Sequence, residues 1–157
     1  MSQLASAFTL SSDVLDKASK ELSERKFDGF WNILFTEAAR VNPEYGYSGS
    51  LLVIAIEFLL ASGIELPMNL TLTATAMQEF QDIGLVVGAQ PRAGAETLDL
   101  LRRLSFSDEE FAEFYRDYAN EEGGADIELA MREGLDFLKR ALQQLQSGGD
   151  CLIVLIG

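Results

Sequence analysis

Acid–base and nucleophilic chemistry near neutral pH is most often built on histidine, and this 157-residue chain contains none. That removes Ser–His and Cys–His nucleophiles and zinc sites built on imidazole. What remains for chemistry is carboxylate, Lys, Tyr and a single Cys. Four groups of residues stand out by type and spacing. Glu57 sits alone in the most apolar stretch, LLVIAIEFLLASG at 51–63. Arg92 follows a Gly-containing turn in LVVGAQPRAGAETL, 85–98. Tyr45 and Tyr47 stand on either side of Gly46 in PEYGYSGS, 43–50. Asp108, Glu109, Glu113 and Asp117 belong to a segment, 107–126, with eight acids and one base, which carries −7 of the chain's net −13.

Each group has a chemical reading and a plainer one. On a helix, Ser50, Val53, Ile54, Leu60, Ala61 and Ile64 share the face of Glu57, and none is charged. A lone buried carboxylate has a raised pKa, which suits a general acid. Its burial costs several kcal/mol unless an Arg meets it, so exposure at a rim is the plainer reading. Around Arg92, a strand, a Gly turn and a helix start have the order of a phosphate cradle. Gly88 and Gly94 lack Walker spacing, and Glu96 and Asp99 would repel an anion, so an ordinary strand-to-helix turn is favoured. Glu57 and Arg92 are kept as pocket candidates. Tyr45 and Tyr47 suit interface anchors, or a lid folded back on the core.

Two motifs fail on inspection. DYANEEGGADIE, 117–128, imitates a calcium loop, but has Ala119 at the third position and Glu122 where Gly is needed. Ser23 and Lys26 fit S-x-x-K without its partner motif. No metal site, catalytic set or cofactor is expected.

The acidic segment reads as one helix face. Asp108, Glu109, Glu113 and Asp117 point outward, while Phe111, Phe114, Tyr115 and Tyr118 make the inner stripe. Such a face either keeps the chain solvated or docks a basic protein surface. The net charge repels phosphate backbones and anionic lipids, so neither nucleic acid nor membrane is an expected partner.

The elements that must position these groups follow from periodicity. Apolar residues are 48% of the chain, enough for one core in one domain, 1–157. Residues 4–10 alternate as a half-buried strand, and a helix runs behind an Asp13 cap to Glu24. A second helix spans Asp28 to Arg40, and NPEYGYSGS is a turn. The 51–63 stretch has 13 residues against the ~20 of a membrane span, so it is a buried helix. A helix is expected over 73–81, a strand over 83–88 and a helix over 93–104. Ser107 and Glu110 form a capping box for the acidic helix. Gly123-Gly124 separates it from a long helix, 126–146, striped by Ile127, Met131, Leu135, Leu138, Leu142 and Leu145. The closing run CLIVLI, 151–156, is a strand buried on both faces, with Cys151 as a buried thiol. The expected class is α+β, about six helices around a small sheet. MSQLASAFTLSSD lacks the basic and long apolar regions of a secretory signal, so a cytoplasmic protein is expected.

Three stretches carry a resemblance. MSQLASAFTLSSDVLDKASKELS, IEFLLASG and LDFLKRALQQLQSGGDCLIVLIG are similar in order and length to the opening strand and helix, the middle helix and the final helix and strand of the YfbM-like bacterial proteins. The middle helix of that family usually carries Trp and His where this chain has Val53 and Glu57. The resemblance implies an α+β fold and, the family's role being unassigned, transfers no active residue.

The functional expectation is a non-catalytic protein-binding domain, immunity- or adaptor-like, acting on a basic partner. The alternative is a small-molecule-binding protein or carboxylate-based enzyme with a pocket near Glu57 and the Tyr45/Tyr47 loop.

Overall fold

In the computed structural model, which describes residues 4–66 and 85–156, four strands form one antiparallel sheet in the order β2-β1-β4-β3. They are β1 (Ala5–Leu10), β2 (Ala39–Arg40), β3 (Leu85–Ala89) and β4 (Cys151–Ile156). β4 is an inner strand. It pairs along its whole length with β1, from Ala5 opposite Ile156 to Leu10 opposite Cys151. On its other side it pairs with β3, where the register shifts between Leu85 and Val87.

The run CLIVLI is apolar throughout because it faces two cores. Leu152, Val154 and Ile156 enter one core with Ala5 and Ala7. Cys151, Ile153 and Leu155 enter the other with Phe8 and Leu10. Alternation along each strand places these sets on opposite sheet faces.

Six helices cover the sheet among the described residues. α1 (Ser12–Ser23) and α2 (Phe27–Glu37) close the second core with Leu15, Ala18, Leu22, Phe30 and Leu34. α6 (Ala125–Ser147) lies on the other face, and α3 (Gly49–Ala61), α4 (Pro91–Arg103) and α5 (Asp108–Ala119) pack on it. All six residues of the stripe expected for the long helix face this core, Ile127 only partly buried. Ala130, Gly134, Phe137 and Ala141 are also buried, so α6 is apolar on more than one stripe. Gly134 permits the approach of α3: a Cβ there would stand 3.1 Å from the Ala55 Cβ.

Some expected boundaries move. α1 is capped by Ser11, whose Oγ accepts from the Val14 N–H at 3.2 Å, not by Asp13. The Asp150 carboxylate accepts the Ser12 N–H at 2.9 Å and adds a charge at the positive helix end. α2 stops at Glu37 rather than Arg40: Ala38 turns extended, and Ala39–Arg40 pairs with β1 as a short edge strand. The tertiary pairing overrides a helical pattern that local spacing alone continues. β3 reaches Ala89, one residue beyond the expected end, while 83 and 84 and the helix expected over 73–81 lie outside the described residues. No helix among the described residues is long and apolar enough to cross a membrane.

Candidate functional site

α3 is the most apolar of the described helices, and it is wedged against α6. Leu52, Ala55, Phe58 and Leu59 are buried in the main core. Its C-terminus closes in a Schellman turn: the Ile64 N–H donates to the Leu59 carbonyl at 2.8 Å and the Gly63 N–H to the Leu60 carbonyl at 3.0 Å. Gly63 takes φ +86°, which side chains rarely adopt, and buried Ile64 pins the turn. The last helical turn is capped by these backbone donors and holds no basic residue.

α5 starts at the expected capping box. Ser107 Oγ accepts from the Glu110 N–H at 3.2 Å, and Glu110 Oε2 accepts the Ser107 N–H at 2.7 Å. This fixes the direction of α5 as it leaves the chain reversal at Phe106. Phe111 and Tyr115 are buried beneath it, Phe114 is half-buried and Tyr118 is exposed. The Tyr115 hydroxyl donates to Glu121 at 2.7 Å, and that bond raises its pKa. Tyr118 stacks on Phe114 at 5.8 Å between ring centres.

Between the end of α3 and the flank of α5 lies an open cleft of roughly 300 Å³. Its apolar wall is Phe58, Ala61, Phe106 and Phe114, and its polar rim is Ser62, Glu110, Glu113 and Asp117. Phe58 organises the wall, meeting Phe106 edge-on at 4.8 Å and Phe114 edge-on at 5.4 Å. Phenyl faces, carboxylates and a helix C-terminus share one sign of field, and it attracts cations. The rim carboxylates are not equivalent. Glu110 is occupied by the capping box, whereas Glu113 and Asp117 meet no cation among the described residues.

The sequence candidates separate accordingly. Glu113 and Asp117 line the cleft, and exposed Glu109 stands outside it without an ion pair among the described residues. Asp108 is held by Arg132 at 2.5 Å, a residue from α6 that sequence spacing does not single out. Tyr45 is not a surface anchor. It is 7% exposed, donates its hydroxyl to the Ala130 carbonyl at 2.9 Å and packs on Phe137. Burial pushes its phenol well above the usual range, with the charges of Tyr47 and Glu133 adding. Tyr47 is half-buried at 5.8 Å from the Tyr45 ring. The loop folds back on the core.

Glu57 is half-buried on α3, and its carboxylate has no ion pair or hydrogen bond among the described residues. None of the described clefts is lined by Glu57 or Arg92. Arg92 is exposed in the first turn of α4, behind Pro91. Gly94 there serves packing: a Cβ on it would meet the Leu145 Cδ2 at 2.9 Å. Among the described residues no group of three or more His, Cys, Asp or Glu could hold a metal. Buried Cys151 donates its thiol to the Leu10 carbonyl at 3.4 Å, and burial pushes its pKa up to about 12, so it is inert as a nucleophile.

What sequence reasoning missed is the aromatic wall. Phe58 belongs to a core helix and Phe106 to a connection, so no spacing rule links them to Phe114.

The fold can be compared with solved structures. A crystal structure of YfbM from Escherichia coli, a protein of unknown function, superposes with a TM-score of 0.57, covering 98% of this chain and 99% of that one. The chain has a YfbM-like fold. At 11% identity the likeness speaks for the fold alone. No family model matches the sequence, and no curated protein does. The opening, middle and closing segments that carry the sequence resemblance are β1–α1, α3 and α6–β4. They supply the two inner strands of the sheet, and only α3 among them borders the cleft.

Proposed function

We propose that this chain is a cytoplasmic, non-catalytic protein-binding domain, immunity- or adaptor-like, whose α5 face captures a basic surface of another protein. One observation carries the reading. Glu109, Glu113 and Asp117 stand unpaired among the described residues on one face of α5, the last two lining an aromatic cleft, in a chain whose acids outnumber its bases so that only some of them are paired. Glu37 meets Lys17 at 2.8 Å, Glu44 meets Arg40 at 3.0 Å and Asp99 meets Arg103 at 2.8 Å. Unpaired carboxylates around an apolar floor supply both terms an interface needs. The charges steer encounter, and the rings give area to desolvate.

The test reverses Glu109, Glu113 and Asp117 to Lys together. Asp108 is left alone, because losing its bond to Arg132 would confuse folding with binding. A partner captured from lysate by the native chain is identified, purified and titrated against both forms. Binding to the native chain should weaken steeply with salt, and the reversed chain should fold and fail to bind. Undiminished binding with the same salt dependence refutes the acidic-face reading.

A further inference from the structure

We infer that the cleft between α3 and α5 is the receptor for an arginine side chain of the partner, an inference that rests on the protein-binding reading above. The molecule itself shows how this scaffold holds a guanidinium. Arg132 lies 5.0 Å over the Phe111 ring, binds Asp108 at 2.5 Å and donates to the Phe106 carbonyl at 3.2 Å. Arg40 lies 5.4 Å over Phe35 and binds Glu44 at 3.0 Å. Arg140 lies 5.7 Å over Phe137 and donates to the Pro43 carbonyl at 3.0 Å. In each case a phenyl face and an oxygen acceptor hold the cation together.

α5 offers that combination on both flanks. One flank, with Asp108 and Phe111, is filled by Arg132. The other presents Phe114, Glu113 and Asp117, and no Arg or Lys lines it. Phe106 lines the clefts on both sides. The open flank adds Phe58 and the C-terminal end of α3, whose last turn holds no basic residue. Arginine is favoured over lysine by the floor. A guanidinium is planar, weakly hydrated and stacks on rings, whereas an ammonium must shed tightly held water to do so. Glu113 and Asp117 are one helical turn apart, so both carboxylates can reach one forked donor.

The experiment is an amide NMR titration of the full chain with three capped pentapeptides, Gly-Leu-X-Leu-Gly, where X is arginine, lysine or citrulline. Citrulline keeps the shape of arginine and removes its charge. The arginine peptide should shift Ala61, Ser62, Phe106 and Phe114 saturably. The lysine peptide should bind several-fold more weakly, and the citrulline peptide about tenfold more weakly. Glu113→Gln with Asp117→Asn should weaken arginine binding about tenfold at unchanged melting temperature, while Glu96→Gln, exposed on α4 and outside the cleft, leaves it unaltered. Phe114→Leu should keep the apolar wall yet reduce the preference for arginine over lysine. Equal binding of the arginine and lysine peptides in the cleft overturns the arginine inference and leaves the protein-binding reading standing. Absence of any shift in the cleft also overturns it, and the charge-reversal experiment then judges the broader reading separately.

Discussion

Replacing Tyr45 with Phe removes one oxygen and nothing else, and it separates a core role from an interface role. The hydroxyl donates to the Ala130 carbonyl at 2.9 Å inside the core, so the variant loses one buried hydrogen bond. The ring stays, with its contacts to Phe137 and Tyr47. Ala130 lies in the interior of α6, where its carbonyl keeps the helical bond, so no acceptor is stranded. The loss is therefore about 1 kcal/mol, the net worth of such a bond. Unfolding entropy of ~2.1 cal/mol/K per residue turns this into a fall of about 3 °C in Tm for a chain of this size. Tyr45→Ala removes the ring as well and should cost ~3–5 kcal/mol, because a cavity opens against Phe137. Calorimetry and urea titration measure both, and binding of the arginine pentapeptide is measured on Tyr45→Phe. The reasoning is refuted if Tyr45→Phe leaves Tm unchanged while binding collapses, since that is the behaviour of a surface anchor.

Other outcomes follow from the same geometry. Burial raises the Cys151 thiol from its ordinary 9.0 to about 12, so the unfolded chain releases that proton first as pH rises. Stability should be insensitive to this thiol below pH 9.0 and fall between 9.0 and about 12, by ~1 kcal/mol per pH unit. Urea melts across that window should show a shallower decline for Cys151→Ala, and an identical slope would remove the thiol from the account. Tyr45 acts in the same direction from pH 10.0 upward. Gly134→Val places a branched side chain where a Cβ already stands 3.1 Å from the Ala55 Cβ and 3.3 Å from the Leu52 Cδ1. Overpacking there should cost at least ~1–3 kcal/mol in chemical denaturation, and a neutral result would mean α3 and α6 do not cross as closely as described.

The distribution of acid gives the surface its logic. Arg116, the lone base in 107–126, is turned toward Glu122 at 3.7 Å. Arg132 reaches in from α6 to Asp108. Both local cations thus serve the ends of the segment, and the middle of the α5 face is left to Glu109, Glu113 and Asp117.

Much of the fold was legible from the residues alone. The six consecutive apolar residues of CLIVLI suggest a strand with a core on each side, and the structure places it between β1 and β3. The capping box at Ser107 and the long stripe of α6 are local patterns, and local patterns survive folding when nothing larger competes. The end of α2 was not legible, because the pairing of Ala39–Arg40 with β1 depends on residues some thirty positions away. The candidate site divides along the same line. Charge density on 107–126 is a property of the sequence. Which carboxylates remain unpaired is not, since Arg132 had to arrive on another helix to occupy Asp108. Nor is the burial of Tyr45, which the backbone of α6 decides by offering it an acceptor. The sequence by itself determined the α+β class, the acidic helix and the absence of histidine chemistry, because these depend on composition and short-range spacing. Only the tertiary structure brought Phe58, Phe106 and Phe114 into one wall beside Glu113 and Asp117, because contact between distant segments is set by how the helices pack.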